Sequence, residues 1–401
     1  GYNSGASLNT GANNTAIGYR ALLTSQTADN NVAVGLDALK ANTTGYDNVA
    51  VGTGALDANT TAYNNSALGR NALGVNTTGT NNTGLGYASL DANTTGGSNV
   101  AVGSLALSGN TTASNNVAVG FSALYANTEG FDNTALGRLS LYANTTGDKN
   151  TAVGSQALDA NTTADNNTAV GYTALGANTT GADNTAIGRT ALQSNTTASD
   201  NTAMGSNALA SNTTGASNTA FGRAALDSNT TASNNTAMGH NALGLNTTGA
   251  NNSALGSTAA DALTTGSYNV ALGFAALGSD TQGSLSVAIG PSALLNQNFT
   301  SATDAYNVAV GTNAGLSVTT GTVNTLIGGL AGDATTTASN NTALGYLALS
   351  ENTTGSVNTA IGVASLDANT TGGSNVAVGG GALGANTTAD NNTAVGKDAL
   401  L

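Results

Sequence analysis

Apolar positions in this chain come in bursts of two or three residues, separated by polar runs, and the pattern returns every 17 residues. The marker is a glycine that follows an apolar residue. It stands at Gly18, Gly35, Gly52 and Gly69, and on through Gly290, with Gly1 opening the grid. One step of 21 residues leads to Gly311, and steps of 17 then resume through Gly328 to Gly396. With the glycine as position 1, a unit reads G-x-x-A-L-x-x-N-T-T-[GA]-x-[ND]-N-[TV]-A-[VIL], as in Gly35 to Val51. Self-similarity this strict marks a solenoid or array rather than a set of globular domains.

The period also limits the elements. Seventeen residues are too few for a helix pair, and no apolar stripe of period 3.6 is present. The spacing predicts two short strands per unit, one over positions 15–17 (Val49-Ala50-Val51) and one around positions 4–5 (Ala38-Leu39). Gly at position 1 and Asn-Thr-Thr-Gly at positions 8–11 supply the turns, because Gly and Asn tolerate positive φ. The fold class expected is all-β, a parallel β-solenoid or β-roll of about 24 coils stacked ~4.8 Å apart, giving a rod on the order of 115 Å. The organisation follows the grid: regular coils over 1–290, an insertion within one coil over 291–310, and regular coils over 311–401.

Stacking puts equivalent residues of successive coils above one another. Position 14 is Asn in nearly every unit, including Asn14, Asn31, Asn48, Asn65, Asn82, Asn99 and Asn116, with Ser286 as the exception. An amide carries donors and an acceptor, so such a column can bond along the stack as a structural ladder. Alternate strand residues face opposite ways. If Ala50 points into a thin coil, Val49 and Val51 point out. A column of Val, Ile, Leu, Met and Phe at position 17 then forms an exposed apolar stripe that soluble monomers rarely carry. The expectation is burial of that stripe against other copies; the reverse assignment, Ala out and position 17 in, would permit a monomer.

Composition narrows the function. Charged residues make up 7% of the 401, against a usual quarter or so, and there is one His and no Cys. A Cys/His metal site or Cys/His nucleophile cannot be assembled readily from that set. A net charge of -13 with only 8 Lys and Arg argues against nucleic acid and anionic membrane as partners. No apolar run is long enough to span a bilayer, and no signal peptide is visible. No enzymatic constellation and no cofactor site is found.

Several features are candidate sites. His240 occupies position 2, a variable outward position that elsewhere holds Tyr19, Arg70, Phe121 and Arg138. Asp57, Asp91, Asp159, Asp227 and Asp367 share position 6, interrupted by Lys40, Gly74 or Ser108, and a calcium-binding edge there is one alternative to simple surface charge. The Asn-Thr-Thr turn has three readings: a turn with a threonine ladder, ice binding by ranked threonines, or N-glycosylation. The acceptors would be Asn42, Asn59, Asn76, Asn93, Asn110, Asn144, Asn161, Asn178, Asn195, Asn212, Asn229, Asn246, Asn352, Asn369 and Asn386. Adjacent Thr43 and Thr44 point to different faces, which weakens the ice reading. Aromatics at position 2 (Tyr2, Tyr19, Tyr87, Phe121, Tyr172, Phe274, Tyr346) suit sugar stacking as well as plain surface decoration. Between Gly256 and Gly345 the turn changes, with Leu263, Asp280, Val318 and Thr335 at position 8, and Pro291 and the insertion near Asn298-Phe299-Thr300 follow. A specific contact is first sought in that stretch.

Asn14-Thr-Ala-Ile-Gly18 and Asn31-Val-Ala-Val-Gly35, followed by the A-L dipeptide, resemble the head repeats of trimeric autotransporter adhesins, the YadA-like head, and related phage tail-fibre repeats. The resemblance covers essentially the whole chain. It implies a left-handed β-roll, three chains side by side, and an extracellular place on a cell or virion surface, with partners that are further copies of the chain and a host-surface glycan or protein. The family repeat is commonly shorter, and no stalk, anchor or trimerising coiled coil stands in these residues, so the chain is expected to be a segment of a longer fibre. The function expected is a non-enzymatic shaft or head segment of a surface fibre or adhesin; the alternatives are an ice- or polysaccharide-binding solenoid and a phage tail-fibre shaft.

Overall fold

The computed structural model describes Gly1–Leu401 as an all-β parallel solenoid of about 22 turns with no helix. It divides into two compact units, Gly1–Asp200 and Asn201–Leu401. The first holds eleven strands, β1 (Thr15–Ile17) to β11 (Thr185–Ile187), and the second runs from β12 (Thr202–Met204) to β25 (Thr393–Val395). Within each unit the strands pair parallel and in register at the repeat spacing. β2 (Val32–Val34) lies on β3 (Val49–Val51) with Val32 opposite Val49, Ala33 opposite Ala50 and Val34 opposite Val51.

Each regular unit has one strand, not the two expected. Positions 4–5 are part of a continuous run of turns over positions 2–7. Leu39 and Leu56 at position 5 adopt left-handed φ of 50° and 51°. For a non-glycine residue that conformation costs on the order of 1–2 kcal/mol. Full burial of the leucine offsets this by about 1.5–3 kcal/mol, and the bend aims its amide at the next coil, where Leu39 N–H donates to Ala55 O at 3.0 Å. Position 3 also takes positive φ; Asp37 and Asn71 suit it, whereas Leu105 and Thr173 adopt it as Leu39 does. At position 1 only glycine fits. Gly52 has φ 140°, and an added Cβ would collide with the carbonyl of Gly69 on the adjoining coil.

The core is thin and repeats in register. Ala38, Leu39 and Ala50 are fully buried, as are most of their counterparts along both units away from the end coils. Asn at positions 8 and 14 completes the interior, so apolar and amide columns run side by side through the same coil. No helix is long and apolar enough to cross a membrane.

Candidate functional site

The strand alternation decides what the surface offers. In β3 the central Ala50 is buried, while Val49 is 39% exposed and Val51 half-buried. The same order holds in β4 (Ser66–Leu68), where Leu68 is 49% exposed, and in β13 (Thr219–Phe221), where Phe221 is 49% exposed. Positions 15 and 17 therefore face outward and position 16 inward. Shallow apolar grooves lie on this face, one lined by Val49, Leu68 and Leu85 in the first unit and one by Met238, Leu255 and Leu272 in the second. Each unit thus presents a flat strand face of apolar side chains with no covering element of its own.

Behind that face run the two amide columns. At position 14, Asn48 N–H donates to Asn31 Oδ1 at 3.0 Å, and Asn65 N–H to Asn48 Oδ1 at 3.0 Å. The same contact joins Asn82 to Asn65, Asn99 to Asn82 and Asn116 to Asn99. At position 8, Asn59 Nδ2 donates to Asn42 Oδ1 at 2.9 Å and Asn76 Nδ2 to Asn59 Oδ1 at 3.1 Å. The columns share acceptors: Ala62 O takes Nδ2 from both Asn48 and Asn59. An amide satisfied on every coil costs little to bury, whereas one left unpaired costs about 1–3 kcal/mol.

This placement bears on the Asn-Thr-Thr turn. Asn42, Asn59, Asn76 and the equivalents through Asn369 are fully buried, so in the folded coil their Nδ2 atoms face the interior and not an incoming sugar. Asn386 lies near the last coil, and its Nδ2 still donates to Asn369 Oδ1 at 2.9 Å. The threonines that follow are not equivalent. Thr43 Oγ1 at position 9 donates to Thr60 O at 3.0 Å, and the same contact recurs at Thr60 and Thr77. Thr44 at position 10 is exposed. The position-10 column is exposed, while the position-9 hydroxyls are tied to the next coil and most of those side chains are half-buried.

The ladder at position 8 breaks where the sequence changes. Asn246 Oδ1 has no partner, because Leu263 occupies the next rung. Two rungs further, Asp280 is fully buried and accepts from Gly283 N–H at 3.0 Å, Phe299 N–H at 3.1 Å and Gln297 Nε2 at 2.7 Å. Gln297 also reaches the other column, donating to Ser286 Oγ at 2.9 Å and accepting from Asn307 Nδ2 at 2.8 Å. The longer amide at position 8 thus replaces the asparagine that Ser286 lacks at position 14. Neither Asp280 nor Gln297 was singled out as part of a pair by sequence reasoning; the signal was the coincidence of Ser286 with two non-Asn residues at position 8. The inserted residues place Phe299 in the core and add a small second sheet, β17 (Gly283–Ser284) beside β19 (Thr303–Asp304).

The remaining candidates stay apart. His240 Nε2 lies 3.0 Å from Arg223 Nη1 on the exposed surface. Burial raises the carboxyls of Asp91, Asp159, Asp227, Asp261 and Asp333 at position 6 above the ordinary carboxylate value. Asp227 and Asp261 flank Gly244, whose missing side chain leaves an open cleft of about 270 Å³. No three or more His, Asp or Glu side chains converge as ligands would. Neighbouring tyrosines stack, Tyr46 on Tyr63 with centroids 4.9 Å apart and Tyr125 on Tyr142 at 5.2 Å. No protein-family model and no curated protein matches the chain.

Proposed function

We propose that this chain is a structural segment of an extracellular surface fibre or adhesin shaft, built by side-by-side association of copies through the strand face. The observation that carries this reading is the outward projection of positions 15 and 17. Ile17, Leu68 and Leu136 in the first unit, and Phe221 and Leu255 in the second, are exposed on the strand face of their own unit while the small Ala residues fill the interior. A stripe of this kind is far more apolar than a soluble monomer tolerates, and burying it on a second copy removes the liability. The resemblance to adhesin head and phage fibre repeats supports three chains and a cell or virion surface. The interior, hydrogen-bonded along its amide columns on most coils, suits a load-bearing element rather than a catalyst.

Sedimentation equilibrium on the purified chain tests the reading. The expected mass is a small multiple of 38.6 kDa, three-fold under the resemblance. A monomer mass up to ~100 µM, where an interface of standard size would be saturated, would refute it.

A second reading, contact with polysaccharide, is favoured by where the aromatics lie. Phe299 is buried, but Tyr2, Tyr87, Phe121, Tyr172 and Phe274 stand exposed at position 2. Retention of the chain on immobilised glycans, lost in a variant with Tyr87, Phe121 and Tyr172 changed to Ser, is the corresponding test.

A further inference from the structure

Going once round the coil, the strand face is bordered by positions 12–13 before it and by position 2 after it. The two borders carry opposite charge. In the unit Gly1–Asp200, position 2 holds Arg70, Arg138 and Arg189 and no carboxylate, while positions 12–13 hold Asp29, Asp47, Asp132, Asp148, Asp165, Asp183 and Asp200, with Lys149 the one base there. Two stretches repeat the arrangement within seven residues. Asp132-Asn-Thr-Ala-Leu-Gly-Arg138 carries β8 (Thr134–Leu136) and Asp183-Asn-Thr-Ala-Ile-Gly-Arg189 carries β11, so each of these outward strands has an acid at its leading end and an arginine at its trailing end.

Two cations of this unit away from these stretches are neutralised within the chain. Arg20 forks onto Asp37 at 2.7 and 2.6 Å, and Lys40 lies 3.4 Å from Asp57. Arg138 makes no such ion pair. Asp132 and Arg138 are both exposed and flank β8 at its opposite ends.

We infer that these two stretches are electrostatic clasps that orient a second copy of the chain on the strand face, with the two solenoids parallel. The inference rests on the self-association proposed above. The symmetry argument is simple. Turning a copy by a half-turn about the stacking axis brings its face against the first with the strand direction reversed. Arg138 of one copy then lies over the Asp132 edge of the other, at the same level, and Arg189 over the Asp183 edge. Any cyclic arrangement about that axis makes the same pairing. Turning the copy about the strand direction instead gives an antiparallel pair, in which arginine edge meets arginine edge and acid edge meets acid edge. Like charges brought together disfavour that partner. Exposed pairs contribute modestly to affinity, so the apolar face supplies attraction and the clasps supply direction.

Spin labels test the orientation, since the chain has no cysteine of its own. Thr53→Cys and Ser155→Cys, made one at a time in the full chain, place labels at position 2 six coils apart, roughly 29 Å along the stack. Parallel copies give a short intermolecular distance at both sites by pulsed dipolar spectroscopy; a short distance at only one of them means antiparallel copies and overturns the inference while leaving self-association standing. The charges are tested by exchange. Arg138→Glu with Arg189→Glu is expected to weaken self-association roughly tenfold at low salt, as is Asp132→Lys with Asp183→Lys, a residue type that Lys149 shows position 13 accepts. An equimolar mixture of the two variants is expected to associate more tightly than either variant alone, because each supplies the charge the other lacks. Variants that associate as the parent does, or a mixture no tighter than the separate variants, overturn the clasp. A chain that stays monomeric in every form overturns the self-association itself.

Discussion

Asn48 and Asn59, eleven residues apart and on different columns, donate to one carbonyl, that of Ala62, at 2.8 and 3.1 Å. The arrangement repeats one coil on, where Gly79 O takes Asn65 Nδ2 and Asn76 Nδ2. The two amide columns are therefore a single cross-linked lattice, and position 11 is its junction. This explains why position 11 is Gly or Ala: the backbone there must approach two side chains from inside the coil.

The lattice makes substitutions unequal. Asn59→Leu strands Asn42 Oδ1 and removes one acceptor of Asn76 Nδ2, for an expected cost of about 2–4 kcal/mol. Asn246→Leu is expected to cost about 1 kcal/mol less, because Asn246 Oδ1 already lacks a partner. Amide hydrogen exchange resolved to single coils is the proper readout, since a repeat array opens locally rather than all at once. Equal loss of protection at the two sites would contradict the lattice.

The coil with the insertion depends on one side chain. Gln297→Leu leaves the buried carboxylate of Asp280 with two backbone donors and removes the partners of Ser286 Oγ and Asn307 Nδ2. The expected loss is about 3 kcal/mol or more. Asp280→Asn in the same background restores a neutral amide at position 8 and is expected to recover part of it. Thermal melts of the parent, the single and the double variant decide; a double variant no better than the single means that the stranded charge was not the cause.

Much of this was legible in the sequence. The 17-residue grid gave the solenoid, and the Val-Ala-Val alternation gave the inward Ala and outward Val. The second strand was misread for a physical reason. Ala-Leu at positions 4–5 looks like a buried apolar pair in any backbone, and nothing in a leucine announces left-handed φ, which is tolerated at Leu39 because burial and an inter-coil bond outweigh the strain. Position 13 did carry a signal, being rich in Asn and Asp. The Asp280–Gln297 pair was hidden because its partners meet only once an insertion is threaded through the coil. The Asn-Thr-Thr turn reads as a glycan acceptor by spacing alone; burial of Asn42 and its equivalents is a property of the stack, not of the tripeptide.

Inward and outward positions of one strand should respond oppositely. Leu68→Lys with Leu85→Lys alters side chains on the exposed face of β4 and β5 (Thr83–Leu85). It is expected to leave the circular dichroism spectrum unchanged and to weaken self-association strongly. Ala67→Leu adds three carbons beside a fully packed interior, an overpacking of about 1–3 kcal/mol or more, and is expected to lower the melting temperature. If the lysine pair unfolds the chain while the leucine is silent, the facing of the strand is wrong.

Acidity should strengthen rather than weaken the coil edges at position 6. Burial holds the carboxyls of Asp91, Asp159, Asp227, Asp261 and Asp333 above their ordinary value, with Arg223 partly opposing the shift at Asp227. In the folded chain these groups therefore keep a proton to higher pH than in the unfolded chain. Linkage then runs one way: their contribution to stability is fully present below the ordinary carboxylate value near ~4, and it is lost as pH rises through the raised folded values. The melting temperature is expected to fall as pH goes from ~4 to ~6, the reverse of a protein stabilised by paired carboxylates. Combining Asp159→Asn with Asp227→Asn and Asp261→Asn, which keeps shape but removes the titrating proton, is expected to flatten that slope. Half-exposed carboxyls are screened by solvent, so the effect per site is small and the triple variant is the informative one. A profile as steep in the triple variant as in the parent would assign the pH dependence to other groups.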